Sequence, residues 1–318
     1  MLVDLLVTAL GLALLVGGGD AVVRGASALA TRLGVPPVAV GLTVVAFGTS
    51  APELAVNLTA ALHGSTSLAF GSIVGSNLAN IGLIVGAAAL VSPLAIHDVI
   101  IRREVPMMLL ASLVALCVGA DALLAGGRPD AFDRADGLVL LLLFCVFAYY
   151  TLGDLAARGD AHADPERAAA VRMPRAIAQT VGGLVGLAAG GATTVEGATG
   201  VASALGISDD VIGFTLVAVG TSLPELTASV MATWRGHTDL AVANVVGSNI
   251  FNLLFVLGLT STVATVPLPP GGVTDLVAVV LFSLVLLGVS LSQGHRIIRG
   301  EAVALLAAYA GYLGYRLL

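Results

Sequence analysis

The chain has 318 residues, 58% of them hydrophobic and only 11% charged, with a formal net charge of −6. Soluble domains carry about 25% charged residues, so this composition excludes a soluble globular fold. Its length accommodates about ten short-looped membrane spans and no second soluble domain. A nucleic-acid role needs a basic patch, and there is none: every basic residue is an arginine, and the arginines are scattered.

Taken in order, the apolar runs predict these spans. The first runs from about Leu2 to Leu33 and is unusually long. It opens with Asp4 in place of the positive start of a signal peptide, so it reads as a retained span. The second covers about Pro37–Leu62, the third Leu68–Val91, the fourth Val105–Gly119 and the fifth Gly137–Leu152. A polar stretch with Arg158, Arg167, Arg172 and Arg175 follows. The sixth span, about Ala176–Leu205, is long like the first. The seventh covers Asp210–Thr233, the eighth Leu240–Val266, the ninth Leu276–Leu291 and the tenth Glu301–Leu317. Cys117 and Cys145 fall in apolar runs without metal-like spacing and are expected to be buried free thiols.

Within the second span lies Gly41–Leu54, GLTVVAFGTSAPEL. Gly213–Leu226 in the seventh, GFTLVAVGTSLPEL, repeats it 172 positions later with ten of fourteen residues identical. The same offset relates Gly19 to Gly191, Gly75-Ser76-Asn77 to Gly247-Ser248-Asn249, and Asn80 to Asn252. One constant spacing across separate blocks marks a duplication. Five spans per half is odd, so the second half enters the membrane from the opposite side. The expected fold is therefore an all-α integral membrane protein of ten transmembrane helices in two inverted five-helix repeats. Residues 1–152 form the first repeat, 153–175 a linker loop, and 176–318 the second. Inverted repeats are typical of secondary transporters, with sites near the midplane on interrupted helices. By the positive-inside rule most arginines fall inside if the linker is cytoplasmic, which places both termini outside the cell membrane. Asp20 and Glu196, in the two long spans, read as interfacial anchors.

An acidic residue deep in an apolar segment costs about 2.5–3.5 kcal/mol on insertion scales and marks a functional site by default. Glu53 and Glu225 are such residues. On a helix, Ala46, Thr49, Ser50 and Glu53 share one face, and Ala218, Thr221, Ser222 and Glu225 repeat that face. Pro52 lacks an N–H and opposes the Gly48 carbonyl, and Pro224 stands likewise to Gly220. Each motif is thus expected to kink or break and free main-chain carbonyls, tolerated at membrane depth only inside protein or along a wet cavity. Ser76 with Asn80, and Ser248 with Asn252, are i, i+4 pairs on the third and eighth spans. These segments offer only oxygen donors, which suit a hard cation such as Ca²⁺. None of the five histidines lies in them. Asn57, Asn77 and Asn249 are expected to make interhelical hydrogen bonds.

GTSxPE twice, each copy followed by GSNxxN, resembles the cation/calcium exchanger superfamily, specifically sodium/calcium exchangers of prokaryotic type. The resemblance covers essentially the whole chain and is most specific at the four motif blocks. It implies an antiporter that exchanges Ca²⁺ for Na⁺ by alternating access at a shared midplane site, with the first and sixth helices moving as a gate. The implied ligands are Ala46 (carbonyl), Thr49, Ser50, Glu53, Ser76 and Asn80, with Ala218 (carbonyl), Thr221, Ser222, Glu225, Ser248 and Asn252. Archaeal members commonly place Asp where this chain has Asn252. A third carboxylate beside two others is disfavoured as an anion, and Asn is the neutral counterpart of that state.

The resemblance implies no cofactor and no enzymatic activity, and its partners are the two transported ions and the bilayer; the middle loop is too short for a folded calcium-sensing domain, so no regulatory module is expected. Other readings make different demands. A calcium/proton antiporter would neutralise the same glutamates with protons, and a potassium-dependent sodium/calcium exchanger would add a third ion. A passive channel would ordinarily repeat its filter around a symmetric oligomer. An intramembrane hydrolase using Ser50 or Ser222 would need a histidine or lysine in the motifs, and none is there.

Overall fold

A computed structural model describes residues 1–64, 66–124, 126, 129–159, 171–205 and 220–317. Apart from a single turn at Asp121–Leu124, the described helices are α1 (Leu2–Leu33), α2 (Pro37–Thr49), α3 (Ala51–Leu62), α4 (66–91), α5 (100–119), α6 (Arg134–Gly159) and α7 (Met173–Ala204). After them come α8 (Leu223–Trp234), α9 (Thr238–Val263), α10 (Gly272–Leu291) and α11 (Arg299–Leu317). Helices α2 and α3 form one span bent by 42°. Together these elements make the ten-span inverted-repeat membrane fold. The start of the expected seventh span, 210–219, lies outside the described residues, as does most of the polar loop.

The layering follows from how much of each helix is covered. In their most apolar windows α9 is 94% buried and the span 69–91 of α4 is 78% buried, whereas α1 is only 22% buried. The duplicated GSN helices therefore form the centre, and the two long helices lie outside it. Phe70, Ile73, Leu78 and Ile84 of α4 pack with Val242, Ile250, Leu253 and Leu257 of α9 in one continuous core, joined by Met108 of α5 and Leu276 of α10.

Helices α1 and α7 run antiparallel along each other. Gly11 faces Thr194, Gly18 faces Gly183 and Leu187, and Gly25 faces Thr180. A Cβ on Gly11, Gly18 or Gly25 would come within 2.4–2.7 Å of the opposite helix, mostly of its backbone. From the other side Gly183, Gly190 and Gly197 are equally tight, at 2.5–2.7 Å. Both rows step by seven residues, so one glycine meets the partner every second turn. Small residues let helix backbones approach closely where the bilayer provides no hydrophobic drive.

Two short antiparallel pairs tie the halves together, a feature for which the sequence carries no signal. β1 (Leu94–Ala95), after α4, pairs with β4 (Arg296–Ile297), before α11. β2 (Ala131–Phe132), before α6, pairs with β3 (Val266–Pro267), after α9. Each pair takes one strand from each repeat. The cysteines depart from expectation: Cys117 and Cys145 are free but exposed on the helix surfaces. In a membrane that surface meets hydrocarbon, so a small apolar side chain has no reason to turn inward.

Candidate functional site

The two GTSxPE segments begin their following helices in the same way. Helix α2 stops at Thr49, Ser50 takes φ −85°, ψ 2°, and α3 restarts at Ala51. In the second half Ser222 takes φ −93°, ψ 4°, and α8 begins at Leu223. Pro52 and Pro224 sit in the first turn of the new helices. There the missing N–H costs nothing, and the fixed φ suits a helix start. In the first half the sequence thus produces a break by ending one helix and beginning another.

The restart places Glu53 and Glu225 in a first helical turn, at the positive end of the local dipole. Ser50-Ala51-Pro52-Glu53 and Ser222-Leu223-Pro224-Glu225 both match the capping-box pattern, in which Ser and Glu side chains satisfy the first backbone N–H groups. Neither does so here, for no side-chain cap is made. Ser50 Oγ instead donates across the repeats to Glu225 Oε1 at 3.0 Å. Forgoing an N-cap costs about 0.5–2 kcal/mol.

Glu53 and Glu225 are each 1% exposed. Neither oxygen of Glu53 has a hydrogen-bond partner, and Glu225 Oε2 has none. They lie within electrostatic reach of each other. Ser76 Oγ, Ser222 Oγ, Asn80 Oδ1 and both amide atoms of Asn252 are likewise buried and unpartnered. Buried polar groups are normally paired. Here unpaired oxygens come from α3, α4, α8 and α9, or from the turn preceding α8, and two of the residues are carboxylates.

The burial of the expected residues is as follows. Ala46, Thr49, Ser50, Ser76, Asn80, Ser222, Ser248 and Asn252 are all buried. The Ala46 carbonyl is less free than expected. It accepts the Ser50 N–H at 3.1 Å and faces the hydroxyls of Thr49 at 3.3 Å and Ser248 at 3.5 Å. The last two contacts are long for O–H···O bonds, and the Ser248 contact joins the halves. Thr221 is only partly buried. Ala218 lies outside the described residues.

The sequence reading singled out Asn57 but missed its partner Ser72 and the second-half pair Ser229 and Asn244. Asn57 Nδ2 donates to the Glu53 carbonyl at 2.7 Å and faces Ser72 Oγ at 3.4 Å. In the second half Asn244 Nδ2 donates to Ser229 Oγ at 3.0 Å. Residues 57 and 229 correspond through the 172-residue offset, as do 72 and 244. The two repeats therefore keep one amide–hydroxyl contact but exchange which helix supplies the amide. Asn244 Oδ1 also faces the Thr49 hydroxyl at 3.3 Å. Aligning the two halves for complementary as well as identical residues would have found this pair. Asn80 lies at the start of a π-helical stretch, Asn80–Val85, and Asn252 lies within another, Phe251–Val256. Such segments recur at functional sites. Asp20 joins Arg24 on its own helix and Arg235 beyond α8, which ties α1 to the α8–α9 turn. Glu196 is exposed.

Comparison with known proteins decides what this constellation belongs to. The family model for the sodium/calcium exchanger protein matches residues 3–153 and 175–318. The chain is a member of that exchanger family. Its solved structural neighbours include the sodium-calcium exchanger NCX_Mj, soaked with Na⁺ and Ca²⁺, at TM-score 0.84 and 30% identity over 99% of this chain and 98% of that one. The sodium/calcium exchanger MaX1 of Methanosarcina acetivorans is 32% identical over 98% of this chain and 97% of its own. CaxA of Alkalimonas amylolytica is 38% identical over 98% of both chains. This exchanger-family protein is thus a multi-pass membrane transporter and not an enzyme.

Proposed function

We propose that the chain exchanges Ca²⁺ for Na⁺ across the cell membrane by alternating access at one site built around Glu53 and Glu225. The observation that carries this reading is the pair of carboxylates, both 1% exposed, with three of their four oxygens lacking a protein partner. Two bare buried anions are costly, several kcal/mol each after relaxation. A bound cation relieves that cost, and two carboxylates balance the charge of one Ca²⁺. The remaining donors are hydroxyl, amide and carbonyl oxygens of Thr49, Ser50, Ser76, Asn80, Thr221, Ser222, Ser248, Asn252, Ala46 and Ala218, which suit Ca²⁺ at 6–8 oxygens. Neutral Asn252 leaves the charge of the site to the two glutamates.

Exchange follows from the same cost. A site that is unfavourable when vacant rearranges mainly when Ca²⁺ or Na⁺ fills it, so each crossing carries an ion. The glycine-lined contact of α1 with α7 is smooth enough for the two helices to shift against the core, while the cross-repeat strand pairs hold the core together. The middle loop is cytoplasmic in this reading and both termini are external. NCX_Mj soaked with Na⁺ and Ca²⁺ supports the choice of ions by analogy. The test is Ca²⁺ uptake by vesicles carrying the chain under an outward Na⁺ gradient at constant pH. Uptake under a pH gradient and not under a Na⁺ gradient would replace Na⁺ with H⁺ as the coupled ion.

A further inference from the structure

An asparagine that ligates a cation must present Oδ1 and turn its NH₂ away, because the amide end carries two donors and no acceptor for the metal. The NH₂ of Asn80 has a defined acceptor: it donates to Asn249 Oδ1 at 2.9 Å, which leaves Asn80 Oδ1 without a partner. Asn249 is itself fixed in that sense. Its own NH₂ faces the Asn77 carbonyl at 3.3 Å and Met108 Sδ at 3.4 Å, so its oxygen is the end left to accept. Both residues are buried.

Asn77 corresponds to Asn249 and Asn252 to Asn80 through the 172-residue offset. In this pair the bond is not made. Asn77 commits its NH₂ to the Ile73 carbonyl at 2.7 Å, and its Oδ1 is buried and unpartnered. Asn252 has neither amide atom paired. An unfilled acceptor on one repeat and an unfilled donor on the other therefore stand where their counterparts are bonded.

We propose that the first asparagine of each GSNxxN block is a positioning residue for the second asparagine of the opposite repeat. Asn249 holds Asn80 with its oxygen toward the cation. Asn77 does the same for Asn252 once a cation draws Asn252 Oδ1 inward and swings its NH₂ onto Asn77 Oδ1. This rests on the cation-site reading above, and it explains why a chain with a neutral amide at 252 keeps an acceptor at 77. A carboxylate at 252 or 80 would need no such partner, since either of its oxygens can face the metal.

That difference supplies the test. Ca²⁺ affinity is measured by titration calorimetry on the purified full-length protein, with Tm followed in parallel. Asn249→Leu and Asn77→Leu should each weaken Ca²⁺ binding at least tenfold, on the order of one lost oriented hydrogen bond. In an Asn80→Asp background Asn249→Leu should change affinity less than threefold, and so should Asn77→Leu in an Asn252→Asp background. Asn249→Ala and Asn77→Ala carry the same comparison if the leucine is not accommodated. Equal losses in both backgrounds, or no loss with the native ligand, would overturn the proposal and leave these residues a packing role. If the native chain binds Ca²⁺ and Glu53→Gln does not, such a result overturns this inference alone. If the native chain binds no Ca²⁺, both readings fall.

Discussion

Glu53→Gln removes one negative charge from the site and keeps its shape. Both Glu53 oxygens are buried without a protein partner, so no hydrogen bond of the resting fold is lost. Breaking a buried charge pair from one side costs about 3–5 kcal/mol. Here the lost partner is the glutamate's attraction for bound Ca²⁺. At about 1.4 kcal/mol per tenfold, Ca²⁺ binding should weaken between about one hundredfold and several thousandfold. The sign for stability is opposite. Without a cation, the native protein holds Glu53 and Glu225 as neighbouring buried acids, and the amide relieves that repulsion. The variant should therefore melt above the native protein in chelator and below it in saturating Ca²⁺. Paired Tm measurements with and without Ca²⁺, alongside Na⁺-driven Ca²⁺ uptake, read both effects. A variant with native-like uptake, or with an unchanged Ca²⁺-dependent rise in Tm, would refute the reasoning.

Other expectations follow from particular contacts. Ser50→Ala removes the bond from Ser50 Oγ to Glu225, which is 3.0 Å long; a bond to a charged group contributes about 1.5–3 kcal/mol, so the Ca²⁺ dissociation constant should rise roughly 10- to 100-fold in calorimetry. Gly18→Val drives a side chain into the α7 backbone, where even a Cβ would lie 2.7 Å away. Overpacking of this kind costs about 1–3 kcal/mol, read as a lower Tm in detergent. Arg235→Gln breaks a partly exposed ion pair with Asp20, and such pairs contribute about 0–1 kcal/mol. Its Tm should therefore scarcely move, and a large drop would show that the α1 tether matters more than its exposure suggests. Ca²⁺ at 100 times its dissociation constant should stabilise the native protein by about 2.7 kcal/mol, and calcium-free protein should show no such gain.

The span order, the duplication and the acidic pair were legible because each leaves a one-dimensional trace: apolar run length, a constant offset, and a charge where charge is costly. The turns at Ser50 and Ser222 were only half legible. Proline and glycine announced an interruption, but only the backbone shows Pro52 and Pro224 beginning new helices and the capping-box side chains left unused for capping. The cross-repeat partners were not legible at all. Ser50 with Glu225, Asn80 with Asn249, and β1 with β4 are separated by more than 160 residues, and no local propensity encodes such pairings. The exchange of Asn57–Ser72 for Ser229–Asn244 is a third case. It is hidden from a search for identical residues because the two repeats conserve the contact and not the side chains.

The most direct measurement is Ca²⁺ flux in proteoliposomes with Na⁺, K⁺ and H⁺ gradients imposed one at a time. An outward Na⁺ gradient alone should drive Ca²⁺ uptake, with K⁺ and H⁺ gradients silent, and Glu53→Gln and Glu225→Gln should each abolish that uptake. Uptake driven by H⁺ alone, or uptake that survives either substitution, would contradict sodium-coupled exchange at a site made by these two glutamates.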